Sequence, residues 1–258
     1  MNDSASFIRR TGAETFALDW RLVNPESYFT TARLVREVAA LRHHARGTML
    51  DIGCGTKPYE VVFRDVVERH IGADRPVSLH GHKAIDVFST ALALPFEAEA
   101  FDFVLCTEVL EHVPDPHIAY AEISRVLKPG AYAIVTTPFM YRVHEAPYDF
   151  YRYTRFGHEH LANGAGLVAE GFRTRGGLIS VSIDLSVKSL ATLISGIGVL
   201  FHQLGLMKRP LLNTVPVRML FYAIQMPLVW LLADERIKSD MYTLGYVILL
   251  RKPQAAQP

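Results

Sequence analysis

Apolar positions along the chain follow two periods in turn. Between residues 25 and 46, Tyr28, Leu34, Val38 and Leu41 recur at helical spacing and Gly47 stops the run, so residues 1–46 read as an N-terminal helical segment. From residue 48 onward, short apolar runs suited to strands alternate with helical pattern. Strands are expected at 48–52, 70–74, 84–88, 101–107 and 131–137, with an amphipathic helix over 116–127 closed by "KPG". The stretch "FDFVLCT" is apolar at nearly every position, as a strand covered on both faces must be. Alternation of this kind predicts an α/β fold, a doubly wound, mostly parallel, Rossmann-like sheet with ligands beyond the carboxyl ends of its strands.

After Pro138 the pattern changes. Residues 144–154, "HEAPYDFYRYT", form a polar, aromatic loop; a helix is expected at 154–166, a sixth strand at 173–181 and a seventh at 243–251. Two hydrophobic segments stand between the last two strands, at 185–206 and 215–233. In the first, Leu190, Leu193, Ile194, Ile197, Leu200, Phe201 and Leu204 make one helical stripe; the second is broader and holds Trp230. Both approach spanning length, but a membrane hairpin would carry Lys208 and Arg209 across the bilayer and would contain Pro216, Arg218, Gln225 and Pro227. Helices that cap a pocket are the better reading. Whether their outer face meets a membrane surface, a second copy of the chain or only the protein's own core stays open. The division expected is 47–184 plus 240–252 as one domain, with 185–239 as a hydrophobic helical insertion before the last strand.

Composition narrows the class. The 258 residues suffice for one α/β domain, and with half of them hydrophobic and 21% charged the chain is globular. A net charge of +1 argues against a dedicated nucleic-acid partner. Two cysteines, Cys54 and Cys106, make neither a disulfide framework nor a zinc pair, and a reduced, cytoplasmic setting is expected. Residues 1–10 show no apolar run behind their charges, so no secretory leader is expected.

Within "MLDIGCGTKPY" the first strand ends in Asp51-x-Gly53-x-Gly55, and where a third glycine would stand there are Lys57 and Pro58. Glycine without a Cβ lets backbone pass close to a ligand, and Pro58 suits the first turn of a following helix. Alone, this turn is compatible with NAD, FAD or S-adenosylmethionine. Together with "IGAD", "ALPFEAEAFDFVLCTEVLEHV" and "RVLKPGAYAIVTTP", in that order, it resembles the class I S-adenosylmethionine-dependent methyltransferases, in particular the broad group with the ubiquinone and menaquinone methyltransferases. The resemblance covers residues 26–180 and the last strand. It implies S-adenosyl-L-methionine as cofactor, with Asp51, Gly53, Cys54 and Gly55 about its methionine moiety and Asp74 on both ribose hydroxyls. It puts an adenine contact at Thr90, five places before "PF", or at the earlier Asp86, and sets Thr107 and Glu108 beneath the sulfonium. The plainer reading is that the glycines serve a tight turn and Asp74 caps a helix.

Methyl transfer is an in-line displacement on an activated donor, so the protein must position an acceptor and exclude water; a hydroxyl acceptor also needs a base. Two groups could provide one. Glu108, Glu111 and His112 in "TEVLEHV" fall on one turn and resemble the quinone O-methyltransferases, in which comparable positions help bind a divalent metal; helix-start hydrogen bonds are the alternative. The loop supplies His144, Glu145, Asp149, Tyr151 and Arg152, with Tyr148, Phe150, Tyr151 and Tyr153 as an aromatic wall. Histidine titrates near neutral pH, which suits a base, and His144 is the first candidate, with Asp149, His112 and Glu111 after it. The alternative is a packed loop in which Asp149 pairs with Arg152 or Arg155. The expected activity is methylation, at oxygen, of a small-molecule, glycan or lipid-linked acceptor. Its rivals are a nicotinamide-dependent oxidoreductase, which would want the third glycine, and a silent cofactor-binding regulatory or membrane-scaffold module.

Overall fold

The computed structural model describes residues 6–19, 21–23, 27–76, 83–205 and 241–254. A short antiparallel hairpin, β1 (Ile8–Arg10) and β2 (Phe16–Leu18), precedes helix α1 (Tyr28–Ala39). Then come β3 (Thr48–Ile52), α2 (Glu60–Phe63), β4 (Arg69–Asp74), β5 (Val87–Phe88), β6 (Phe101–Thr107), α3 (Pro116–Val126) and β7 (Leu127–Pro138). The chain goes on through α4 (Arg155–Gly164), β8 (Val168–Thr174), α5 (Leu178–Gln203) and β9 (Gly245–Arg251).

Strands β3 to β9 form one sheet in the order β5-β4-β3-β6-β7-β9-β8. The pairs β3–β4, β3–β6, β4–β5 and β6–β7 are parallel, and β9 lies antiparallel between β7 and β8. The sheet grows one way from β3 through β4 and the other way through β6, so a crevice opens beyond the carboxyl ends of β3 and β6.

Period-two alternation divides the core between the two faces. On one face Leu50, Ile52, Val104, Cys106, Ala133 and Val135 pack with Tyr120 and Ile123 of α3 and Leu161 and Ala162 of α4. On the other, Met49, Phe103, Leu105, Ile134 and Leu249 pack with α1, α2 and the hairpin through Leu34, Val38, Val62, Phe63 and Ile8. Helix α3 starts where it does because the Asp115 carboxylate accepts the Ile118 N–H and Pro116 takes the first helical position. Thr154 caps α4 in the same way, its Oγ1 accepting the Gly157 N–H at 3.1 Å.

Four expectations need correction. Residues 8–18 are a hairpin, not helix, and strands of three residues are too short to show a period. The sixth strand is Val168–Thr174, not 173–181; Gly176, at φ +93°, breaks the chain before α5 begins at Leu178. The third strand keeps only Val87–Phe88 of 84–88, and the helix placed at Pro58 is the single turn Glu60–Phe63. The first hydrophobic segment lies inside α5 as far as Gln203, whereas 215–233 falls outside the described residues. Among the described residues no helix is long and apolar enough to cross a membrane.

Candidate active site

The turn after β3 is braced by β4. The N–H groups of Gly53 and Cys54 both donate to the Ala73 carbonyl, at 2.8 and 3.2 Å. Gly53 sits at φ +68°, and a Cβ there would come within 2.3 Å of Val109 Cγ2. Only glycine lets Val109, from the loop after β6, close over the turn. Gly55 donates its N–H to Asp74 Oδ2 at 2.9 Å, and Asp74 Oδ1 accepts the Arg75 N–H at 2.6 Å. Asp74 is thereby fixed at the end of β4, where it lines the cavity.

Lys57, in the place of a third glycine, takes φ +53° without being glycine. Its chain lies across Gly72, where a Cβ would meet Lys57 Cε at 2.4 Å, and its ammonium donates to the His70 carbonyl at 3.2 Å and to Asp86 Oδ2 at 2.5 Å. The lysine therefore ties the turn to β4 and does not line the cavity. Of the two candidates for the adenine contact, Asp86 has its Oδ2 on Lys57 and on the Gly72 N–H, at 2.7 Å, and Thr90 lines the cavity. Asp51, expected about the methionine moiety, is 1% exposed, with Oδ2 at 3.0 Å from His70 Nε2 on the neighbouring strand. Burial, with Asp51 beside it, pushes the Cys54 thiol up to about 12, so it is inert packing against the turn.

A cavity of about 640 Å³ runs over the ends of β3, β4 and β6. Its lining includes Gly53, Gly55 and Asp74, Thr107 and Glu108, His112, His144 and Tyr148, and Thr30 and Leu34 of α1, and the Arg75 guanidinium, next to Asp74, lies 5.7 Å from the Tyr148 ring centroid. Glu108 holds φ +54°. Its N–H donates to the Thr136 carbonyl at 3.1 Å, its Oε1 accepts the Thr136 hydroxyl at 2.9 Å, and its Oε2 accepts from Arg175 at 3.0 Å. Arg175, 4% exposed, also donates to the Thr137 carbonyl at 2.9 Å. The sequence reading missed this arginine. It stands just past an edge strand that was itself misplaced, with no spacing to tie it to the "TEVLEHV" stretch.

Glu111 is completely buried, and neither carboxyl oxygen has a hydrogen-bond partner. Burial first, then the nearby Glu108, raises its carboxyl well above the usual carboxylate range. His112 Nδ1 lies 2.8 Å from the Tyr148 carbonyl, which can only accept. That assigns the ring hydrogen to Nδ1 and leaves Nε2 with its lone pair, 3.8 Å from Glu111 Oε1 and 3.9 Å from Glu145 Oε2. The His144 ring meets His112 edge-on at 4.7 Å between centroids. Its main-chain N–H donates to Asp149 Oδ2 at 2.9 Å, and Nδ1 lies 3.2 Å from the same oxygen. Two bonds from Arg152, at 2.6 and 2.7 Å, hold Asp149 well below the usual carboxylate range, so it is a clamped anion beside His144. Of the aromatic wall, Tyr148 and Phe150 face the cavity; Tyr151 bonds the Pro114 carbonyl, and Tyr153 is buried on the Leu110 carbonyl.

Of the metal set expected from the resemblance, Glu108 accepts from Thr136 at one carboxyl oxygen and from Arg175 at the other. Among the described residues the donor group that gathers is Glu111, His112 and His144.

Comparisons with known proteins agree with this geometry. Residues 27–163, just over half of the chain, match the family model described as a methyltransferase domain. The ubiquinone biosynthesis O-methyltransferase of Hahella chejuensis is 37% identical over 94 residues, covering 32% of this chain and 40% of that protein. An uncharacterized methyltransferase of Mycobacterium tuberculosis is 30% identical over 137 residues, covering 50% and 51%. The chain thus spans about two fifths to one half of the length of these curated relatives. Among solved structures, the cyclase SpnF superposes with a TM-score of 0.53 at 21% identity, over 92% of this chain and 86% of that one, a likeness of fold. With its parallel sheet, its glycine turn and the acidic residue ending β4, the chain belongs to the methyltransferase domain family, the class I S-adenosylmethionine-dependent methyltransferases.

Proposed function

We propose that the chain transfers a methyl group from S-adenosyl-L-methionine to an oxygen of a small-molecule, glycan or lipid-linked acceptor. One observation carries this reading: a single cavity is lined both by the glycine turn with Asp74 and by His144, whose Nδ1 lies 3.2 Å from Asp149 Oδ2. Asp74 takes the ribose hydroxyls, the Gly53–Gly55 turn passes along the methionine moiety, and Thr107 and Glu108 lie near the sulfonium. Thr90 lines the adenine side. An acceptor hydroxyl stands between the methyl group and His144. The acceptor oxygen forms the new C–O bond as the methyl C–S bond breaks, and the bonding pair stays on sulfur, leaving the neutral thioether. The hydroxyl proton passes to the free ring nitrogen of His144, and Asp149 steadies the resulting imidazolium.

The name of the Hahella relative, an O-methyltransferase, supports oxygen as the target. Exposed Leu193, Ile197, Val199 and Phe201 support α5 as an apolar surface for a lipid acceptor, a membrane surface or a second copy of the chain. Label transfer from methyl-tritiated cofactor into lipid and glycan extracts tests the activity. The expected result is one labelled acceptor and a fall of about 100-fold or more in kcat for His144→Ala with cofactor affinity kept. Cofactor binding without label transfer to any extract would favour the silent regulatory module.

A further inference from the structure

The acceptor end holds a second arrangement that methyl transfer does not need. We propose that Glu111, His112 and His144 form a binding site for a divalent transition-metal ion of the zinc, cobalt or nickel class. Each contributes one donor atom, and the three lie within 4.8 Å of one another. An ion at about 2.1 Å from each donor sets them about 3.4 Å apart, so side-chain rotation alone closes the set.

Three features point to an ion. First, Glu111 is fully buried with both oxygens unpartnered, an arrangement native interiors rarely leave unanswered. Second, the Tyr148 carbonyl holds the hydrogen of His112 on Nδ1 and turns the Nε2 lone pair toward Glu111, the outer contact that orients a metal-binding imidazole. Third, Nδ1 of His144 is buried without a hydrogen bond, and Asp149 Oδ2, clamped by Arg152, lies 3.2 Å from it, near enough to hold the ring once an ion fixes its orientation. Glu145 Oε2, 3.9 Å from His112 Nε2, is near enough to close a fourth position. Two imidazoles and one carboxylate suit zinc, cobalt or nickel; magnesium prefers oxygen donors. The set differs from the one implied by the family resemblance because Arg175 and Thr136 draw Glu108 away, and a histidine 36 residues past Glu108 in the chain takes its place.

A bound ion would occupy the His144 lone pair, so metal binding and proton acceptance would exclude each other. That consequence rests on the base role proposed above; the binding does not. The test uses the full chain, stripped with chelator and titrated with cobalt(II), followed by visible absorption and by competition with zinc and magnesium. The expected result is one equivalent of cobalt bound, displaced by zinc and not by magnesium. His144→Ala and Glu111→Gln should weaken binding at least tenfold, and Glu108→Gln less than threefold. His144→Asn serves where the alanine variant does not fold, as judged by circular dichroism without metal. Absence of stoichiometric cobalt binding overturns the site, as does equal loss in Glu108→Gln. Turnover of the metal-free protein, measured separately, distinguishes the two readings. Cobalt binding that leaves turnover unchanged refutes the base role and keeps the site; turnover without cobalt binding does the reverse.

Discussion

The N–H of Gly55 and Oδ2 of Asp74 lie 2.9 Å apart, and that bond joins the first βα turn to the end of β4. A carboxylate has about four acceptor directions; Gly55 and Arg75 take two, and two remain for a pair of vicinal hydroxyls. Asp74→Asn should keep the Gly55 bond through its amide oxygen, lose the Arg75 bond, since its NH2 cannot accept, and lose the charge that strengthens the two left for the hydroxyls. Hydrogen bonds to charged groups contribute about 1.5–3 kcal/mol each, so cofactor affinity should fall about 10- to 100-fold, with a loss of stability of about 1 kcal/mol from the Arg75 bond. Calorimetric titration giving a Kd within twofold of wild type would contradict the ribose role.

Gly53 and Val109 are coupled by space alone. A Cβ at Gly53 would meet Val109 Cγ2 at 2.3 Å, and φ +68° is unfavourable for any other residue. Left-handed backbone costs roughly 1–2 kcal/mol and overpacking about 1–3 kcal/mol, so Gly53→Ala should destabilise the fold by about 2–5 kcal/mol. In a Val109→Ala background the same change should cost about 1 kcal/mol less, as read by urea denaturation in a double-mutant cycle. Strict additivity would mean that the clash is not the cause.

These two sites also show what a linear reading can reach. Strands β3 and β6 stand at the residues expected because both are buried between two layers and so are apolar almost throughout. The place of Asp74 was legible because it closes the short run that forms β4. Edge strand β8 was not: only Thr174 in it is buried, and its register shifts between Ala169 and Gly171, so no period survives. Asp51 was read as facing the ligand, since nothing in β3 reveals that His70 on the neighbouring strand covers it. Arg175 and Glu108 are 67 residues apart, and only the folded sheet brings them together.

Their ion pair yields a further test. Removing Arg175 leaves Glu108 without its cation, although 32% of the Glu108 side chain remains exposed and solvent relieves part of the loss. Arg175→Met should therefore cost about 2 kcal/mol, below the range for a fully buried pair. The double variant Arg175→Met/Glu108→Gln should recover more than half of it in chemical denaturation. No recovery would show that the Thr137 carbonyl, and not Glu108, is what Arg175 holds.

His158 gives the pH dependence a named source. It is buried between α4 and the sheet, with Tyr120 Oη at 2.6 Å from Nδ1 and Thr137 Oγ1 at 2.8 Å from Nε2. Burial pushes its pKa down to about 3, against about 6.5 in the unfolded chain. The folded value is the lower one, so between these limits the unfolded chain binds the extra proton. The stability it supports is complete above pH 6.5 and is lost as the pH falls toward 3. Between pH 6.5 and 5 the loss from this residue amounts to about 1.5 kcal/mol. His158→Phe strands two hydroxyls and should be less stable than wild type at pH 7, yet its stability should fall by about 1.5 kcal/mol less over that interval. Denaturation curves at the two pH values decide the matter: parallel losses in wild type and variant would mean that the proton is taken up elsewhere.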